Sequence, residues 1–347
     1  VNKVLGKMGK VVLVIVVLAA VWCGWWVAAS SGLQRGIAKL IETRRAAGWQ
    51  ADVGEMKKQG FPTRLHTRLT DVTLTPPAQS AGRGIASAVA AKRIDISTPA
   101  YWPGYVTVAS PYIELGLSGP NLRAMLSAED VTTDLRLRPS VSGQLDRLTL
   151  DGGAWVLDLP VTGPVEGRGL NVSAVQQTVG QPIYDLALDA QNVTPSAALR
   201  GLFGLPDDWA EAFDTVTAKA TITFDRLWDR KALGRTRPQP RVIDLRHAEL
   251  AWGDIALSLR GTIAVAEDGL ATGTLSVVAQ DWPTMLTMVE SAGYIPPNFR
   301  PQAEQMLKGL AQMSGNTDAL DLDITVKDGK MSMGFIPLGR APKIILR

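Results

Sequence analysis

One apolar stretch, residues 11–29, constrains this chain more than any other part of its sequence. It is 19 residues long and contains no charged side chain, and about 20 mostly apolar residues are enough for a helix to cross a bilayer. Lysines precede the stretch, as in segments whose N-terminus stays in the cytoplasm, and tryptophans close it, where indole rings favour the water–lipid boundary. These residues are Lys3, Lys7 and Lys10 on one side and Trp22, Trp25 and Trp26 on the other. The sequence therefore predicts a cytoplasmic tail at 1–10 and a transmembrane anchor at 11–29.

A cleaved secretory signal is the alternative interpretation of the same stretch. Val27, Ala28 and Ala29 offer small residues near a possible cleavage site. The apolar run is longer than the core of a usual signal peptide, and three tryptophans crowd the region where cleavage would occur. We therefore favour a retained anchor. Under either interpretation the rest of the chain is exported.

The charge of the chain is unevenly distributed. Residues 1–45 contain seven basic residues and one acidic residue, a net charge of +6, whereas the whole chain carries +3, which leaves −3 for the remainder. A mildly acidic body does not have the basic surface of a nucleic-acid-binding protein. The basic surplus lies beside the anchor, where lysine and arginine meet anionic headgroups. Membrane lipid is therefore the expected partner, other envelope proteins are a further possibility, and nucleic acid is not expected.

Few residues in this sequence carry reactive chemistry. The only cysteine, Cys23, lies inside the apolar stretch, so the exported part has no disulfide or thiol chemistry, and the only histidines are His66 and His247. No phosphate-binding loop, dinucleotide-binding glycine motif, zinc-protease helix or serine nucleophile motif occurs. We expect a protein that is not an enzyme and has no catalytic residues, cofactor or metal.

The remainder of the sequence predicts a short helix and then a β-rich domain. Residues 30–48 place apolar side chains at helical spacing and are expected to form an amphipathic helix, which either prolongs the anchor or lies against the membrane or the sheet; packing on the folded body is favoured. From Trp49 onward, short alternating segments are divided by glycine and proline, as in strands. The segment 320–326 alternates without a fault, and Asp268-Gly269 and Asp328-Gly329 suit two-residue hairpin turns.

A mainly β (α+β) fold is therefore expected, with one or more long curled antiparallel sheets and a few covering helices. The helices are predicted near 195–213, after Asp281 and after Pro301, and the small-residue segment 78–92 is either a loop or a weak helix. The exported domain spans 49–347, and its two possible halves meet near 226–245.

Short strings along the chain resemble the bacterial family known as domain of unknown function 2125 (DUF2125). They are Gly60-Phe61-Pro62 with Arg64, Ala251-Trp252-Gly253, Asp281-Trp282, Gly293, and Ile336-Pro337-Leu338-Gly339 with Pro342. That family implies no activity and no catalytic residues. The layout of one anchor followed by repeated β segments also resembles the AsmA-like envelope proteins, which are implicated in lipid handling; this second likeness is one of architecture alone. The resemblance implies a single-pass protein of the bacterial inner membrane with most of the chain in the periplasm.

A sheet with one apolar face must cover that face with helices, with a second sheet or with lipid. The predicted helices are few, so we expect an apolar groove that binds or transfers lipid; the alternative is an envelope scaffold or assembly factor with a packed core. The candidate lipid-facing residues are Ile222, Phe224, Leu257, Leu259, Leu322 and Ile324. Arg64, His66 and Arg68 share one face of a predicted strand and are candidates for contacts with headgroups or glycans.

Overall fold

The computed structural model describes residues 2–77, 86–102, 104–118, 123–140, 142–160, 162–233, 237–313, 319–334 and 336–346. Its first element is helix α1, Asn2–Ala46, which is 45 residues and therefore about 68 Å long. No proline interrupts it. The chain leaves the helix at Gly48, two residues after Ala46, where φ is +86°. The backbone N–H of Trp49 donates to the carbonyl of Arg44 and closes the last turn. This helix is long and apolar enough to span a membrane, which is consistent with a single-pass anchor.

In the described part of the chain, seventeen strands form one open antiparallel sheet. The first nine are β1 Gln50–Asp52, β2 Met56–Gln59, β3 Arg64–Thr75, β4 Ala86–Pro99, β5 Tyr105–Ser118, β6 Arg123–Leu137, β7 Leu145–Leu159, β8 Gly163–Gln176 and β9 Ile183–Ala190. The other eight are β10 Thr194–Pro195, β11 Thr215–Phe224, β12 Pro240–Trp252, β13 Ile255–Val265, β14 Ala271–Gln280, β15 Ala319–Lys327, β16 Lys330–Met333 and β17 Ile336–Arg340. The predicted fold class, mainly β after an apolar N-terminal helix, is confirmed.

The sheet is built almost entirely by sequential pairing. Each strand from β3 to β8 pairs with the next one, β9 pairs with β11, and sequential pairing then continues to β17. The short strands β1 and β2 both pair with β3, and β10 pairs with β8. Sequential antiparallel pairs need only short connections, which explains the repeated glycine and proline punctuation of the sequence.

The two predicted hairpin turns differ in the structure. Asp328 and Gly329 both have positive φ, 51° and 73°, and join β15 to β16 directly, as expected for a two-residue turn. At Asp268-Gly269 the two-residue prediction is wrong, because β13 ends at Val265 and β14 begins at Ala271. Only Gly269 of that pair has positive φ, and a bond from the N–H of Ala266 to the carbonyl of Leu270 closes the longer connection.

Among the described residues, three short helices interrupt the strands: α2 Ala197–Leu202, α3 Trp282–Ser291 and α4 Arg300–Met313, with 3-10 turns at Arg230–Leu233 and Pro297–Phe299. Helix α2 begins at Ser196, whose hydroxyl accepts the N–H of Leu199. Asp281 precedes α3 in a left-handed conformation and its side chain makes no cap hydrogen bond. Helices α3 and α4 lie in the connection between β14 and β15 and pack on the sheet through Trp282, Leu286 and Ala311.

Helix α1 packs along the first edge of the sheet, where β3 presents the buried side chains of Leu65, Leu69 and Val72. Polar contacts hold its C-terminal half: Gln34 donates to the carbonyl of Met56 at 3.5 Å, Lys58 donates to the hydroxyl of Ser31 at 2.8 Å, and Arg45 donates to the carbonyl of Ala51 at 2.6 Å. Where the sequence separates an apolar anchor from an amphipathic helix, the structure has one continuous helix whose later turns are docked on the body.

Candidate functional site

A row of cross-strand partners crosses the apolar side of the sheet. Each member lies directly opposite the next one on the neighbouring strand, from β4 to β15. The row consists of Ile96, Val108, Thr133, Leu150, Val172, Leu188, Ala218, Ala248, Leu259, Val277 and Leu322. Neighbouring strands are about 4.8 Å apart and directly opposed side chains contact one another. These residues therefore form a continuous strip about 50 Å long.

A second row runs beside the first, two residues away on most strands. It consists of Val106, Leu135, Leu148, Ala174, Leu186, Ala220, Leu245, Gly261, Leu275 and Ile324. Neither row contains a charged residue, and Thr133 is the one member with a polar side chain. We call the two rows together the apolar floor.

The apolar floor is covered at its margins and only half-covered between them. Near one end of the strands, Val193 and Phe213 pack with Trp155, and α3 and α4 cover Ala279 and Leu320. Near the other end, the ring of Phe224 packs with those of Tyr184 and Trp228, and the C-terminal residues Ala341 and Ile344 pack against Ile263 and Val326. Between these covers most floor residues are half-buried, and Leu188 is 38% exposed.

The six residues predicted to face lipid all lie on this apolar side. Leu259, Leu322 and Ile324 belong to the floor, and Ile222 lies one row further, opposite Tyr184 and Ile243. Three of the six are held by protein: Leu257 and Leu322 pack against the α3–α4 cluster. Phe224 is only 7% exposed because it contacts the rings of Tyr184 and Trp228.

The predicted cationic trio separates into two environments on the other face. His66 and Arg68 both contact Asp95 Oδ1, through Nε2 at 2.9 Å and Nε at 2.7 Å, and Arg93 Nε lies 3.2 Å from Asp95 Oδ2. Partial burial raises the pKa of Asp95, but the hydrogen bonds from Arg68 and His66 outweigh that effect and hold the pKa below its usual value. Arg64 is exposed and stands apart from this cluster.

Sequence reasoning missed a polar concavity on the opposite face of the middle strands. It has a volume of about 580 Å³ and is lined by Asp151, Asn171, Lys219, His247 and Glu249, among others; the floor residues Leu150, Val172 and Leu188 also contribute to its lining. His247 Nε2 lies 3.0 Å from Glu249 Oε2. The spacing of two between His247 and Glu249 places both on one face of β12, which was the available signal. Among the described residues, no group of three or more His, Cys, Asp and Glu side chains is arranged to hold a metal ion.

A family model described as an uncharacterised protein conserved in bacteria (DUF2125) matches residues 26–342, nearly the whole chain. No curated protein and no solved structure matches the chain.

Proposed function

The chain belongs to the DUF2125 family of uncharacterised bacterial proteins, and we propose that it is a membrane-anchored envelope protein whose apolar floor binds or transfers lipid. The half-buried floor, continuous in register across eleven strands, is the observation that carries this proposal. Its location is the bacterial inner membrane, with the β domain in the periplasm, because the lysines precede the anchor.

The chemistry of the floor suits a hydrocarbon chain. Leaving apolar surface in water costs about 25 cal/mol per Å², so a strip of this length gains free energy from an apolar occupant. The two rows are about 7 Å apart along the strands, a separation suited to an extended acyl chain lying across the strands. A floor without charges, with Thr133 as its one polar side chain, offers no hydrogen-bonding set for a sugar or a nucleotide.

The position of the floor relative to α1 also favours lipid. The floor begins with Ile96 on β4, whose partner on the next strand is Thr67 of β3. Helix α1 packs along β3, so the helix suited to cross the membrane runs beside the start of the floor. A lipid that leaves the bilayer along α1 meets the floor at its first strand. We further propose that the protein is not an enzyme and that other envelope proteins are possible partners.

The experiment places a photo-crosslinking amino acid in β9 of the full-length chain in bacterial membranes. One variant carries the benzophenone at Leu188 on the floor, and the matched control carries it at Ala187, which lies on the opposite face of β9 between Ser173 and Lys219. We expect lipid to be attached at Leu188 and not at Ala187, as measured by mass spectrometry of the crosslinked protein. Attachment at neither position would favour the scaffold with a packed core, and equal attachment at both would show unselective contact and no groove.

A further inference from the structure

The tryptophans of α1 connect the anchor to one edge of the β domain. Each indole N–H donates to a backbone carbonyl at or next to the start of β3 or the end of β4. The bonds join Trp22 to Pro62 at 3.0 Å, Trp25 to Ala100 at 3.3 Å and Trp26 to Arg64 at 2.8 Å. The ring of Trp26 also packs edge-to-face on Phe61, with centroids 5.3 Å apart. These contacts set the height of this edge relative to the anchor.

The length of the anchor places this edge at the membrane. The hydrocarbon core is about 30 Å thick, which takes about 20 helical residues. Counted from the charged Lys10, 20 residues end at Ala29, so Trp22 lies about 10 Å inside that limit. If the core is instead counted back from Trp22, it begins at Lys3 and includes Lys7 and Lys10, and these lysines would need to snorkel. In both cases Pro62 and Ala100, whose carbonyls accept hydrogen bonds from the tryptophans, lie at the water–lipid boundary or within the hydrocarbon core.

Exposed aromatic side chains concentrate at the same edge. They are Phe61 at 56%, Tyr101 at 74%, Trp102 at 43% and Tyr105 at 36% exposure. Among the described residues outside α1, seven aromatic side chains are exposed, and four of the seven are these. Tryptophan and tyrosine are enriched at membrane boundaries, because one end of the ring system is apolar and the other forms hydrogen bonds.

Cations accompany the aromatics. The guanidinium of Arg136 lies 4.6 Å above the ring of Tyr105. A cavity of about 340 Å³ opens beside Trp102 and is lined by Gly104, Leu137, Arg138 and Arg230. Arg138 is held by Asp146 and by Gln176. No described carboxylate pairs with Arg64, Arg136 or Arg230, and unpaired arginines at a lipid surface bind phosphate.

We propose that this edge, the membrane-proximal rim, lies in the headgroup layer of the membrane that α1 enters. The rim comprises residues 61–64, 99–102, 104–105, 136–140, 142–145 and 228–230. Its aromatic side chains sit at the water–lipid boundary and Arg64, Arg136 and Arg230 contact lipid phosphates. This inference concerns a surface outside the floor and does not depend on lipid binding there. The rim is adjacent to the second floor row. Tyr105 directly precedes Val106 and Arg136 directly follows Leu135, and both Val106 and Leu135 belong to that row.

The test measures membrane depth with a nitroxide label on single cysteines of the full-length protein in vesicles. Cys23→Ser removes the native thiol, and labels are placed by Tyr101→Cys and Tyr294→Cys. These two tyrosines are matched, with 74% and 76% exposure, and only Tyr101 belongs to the rim. Leu18→Cys, in the apolar part of α1, reports on the anchor itself. Collisions with oxygen and with a water-soluble nickel chelate give the depth of each label.

We expect the Leu18 label in the hydrocarbon, the Tyr101 label in the headgroup layer and the Tyr294 label in water. A Tyr101 label as accessible to nickel as the Tyr294 label would overturn the proposal while leaving the anchor and the floor unaffected. A Leu18 label in water would overturn the anchor, and the rim proposal with it.

The arginines are tested in vesicles of phosphatidylcholine alone and in vesicles that also contain phosphatidylglycerol. We expect the Tyr101 label to lie deeper in the anionic vesicles. The double change R136Q/R230Q should remove that difference, whereas R168Q/R260Q, at two exposed arginines outside the rim, should retain it. A depth that does not respond to anionic lipid, or equal responses of the two double variants, would count against these contacts, because it would show that the arginines are not drawn to the added anionic headgroups.

Discussion

Strands β15 and β9 have the same alternation of side chains on the apolar side of the sheet, but a leucine on that side is buried on β15 and another is exposed on β9. Leu320 on β15 is 3% exposed beneath α3 and α4, whereas Leu188 on β9 is 38% exposed. Both leucines alternate with polar neighbours along their strands, and both lie on the apolar side. The alternation therefore decides which side of the sheet a residue occupies, and something else decides whether that side is covered.

The connections between strands make the difference. Between Gln280 at the end of β14 and Ala319 at the start of β15, the chain has room for both α3 and α4, which return over the sheet. Between Gln176 of β8 and Ile183 of β9 there is only a short turn, which cannot cover a strand. A sheet assembled mostly from hairpins therefore covers its apolar side only where a long connection or a chain terminus is available.

The largest contrast is expected from aspartate at the two leucines. Leu320→Asp places a carboxylate in a buried apolar cluster, where an unpaired charge is so costly that the domain should unfold or the group should take up a proton. Leu188→Asp places the carboxylate on a half-open surface. The protein should therefore stay folded and lose lipid crosslinking at Leu259, a floor position three strands away. Thermal unfolding in detergent micelles and crosslinking at Leu259 measure the two effects.

Equal loss of stability in the two aspartate variants would break the comparison, since it would mean that the middle of the floor is packed as densely as the margin. Retained crosslinking in a folded Leu188→Asp protein would keep the structural contrast but remove its link to lipid.

A second pair of variants sharpens the comparison at the covered margin near β7. A Cβ at Gly167 would lie 2.3 Å from the ring of Trp155, which is itself packed with Val193. Gly167→Ala must therefore displace the ring, and overpacking of this kind typically costs about 1–3 kcal/mol. Gly116→Ala on β5 is the control, because its Cβ would meet only Ala88 Cβ at 3.5 Å; it should be neutral or stabilise the protein by up to about 1 kcal/mol.

Chemical denaturation of the two alanine variants in the same detergent checks this prediction. If Gly167→Ala were as stable as Gly116→Ala, the ring of Trp155 would be free to move, and the margin near β7 would be as open as the middle of the floor.

The class of the fold and the side occupied by most strand residues could be predicted from sequence. In β15 the predicted alternation is confirmed, with Leu320 and Val326 buried and Asp321 and Asp323 exposed. Residues 86–92 show the limit: their alanines predicted a loop or weak helix, but they are part of β4. Pairing with β3 and β5 on both sides overrides the low strand propensity of alanine. Residues 78–85 of that segment lie outside the described residues.

The candidate site could be predicted only in part, because it depends on register. Ala218 and Ala248 belong to the floor since they lie opposite Leu188 and Leu259, and no local pattern distinguishes them from other alanines. The irregularity between Leu245 and Ala248 keeps both residues on the apolar side although they are three apart. The aromatic rim was missed for the same reason, because its residues come together only through the turns of β3 to β6 and through α1.

The smallest effect is expected on the polar side, at Asp95. Its pKa is held below the usual value mainly by hydrogen bonds from Arg68 and His66, which outweigh the opposing effect of burial. A carboxylate with a lowered folded-state pKa contributes stability above its unfolded-state pKa, near 4, and loses that contribution as the pH falls through the folded value. Asp95→Asn should therefore destabilise the protein by about 1 kcal/mol or less at pH 7, as for partly exposed ion pairs, and progressively less below pH 4.

The control is Asp323→Asn on β15, an exposed position without an ion pair among the described residues, and it should change stability little at either pH. Denaturant titrations at neutral and acidic pH measure the difference. A loss at Asp95 comparable to that of Leu320→Asp would mean that the polar side, and not the covered apolar margin, dominates the stability of this sheet.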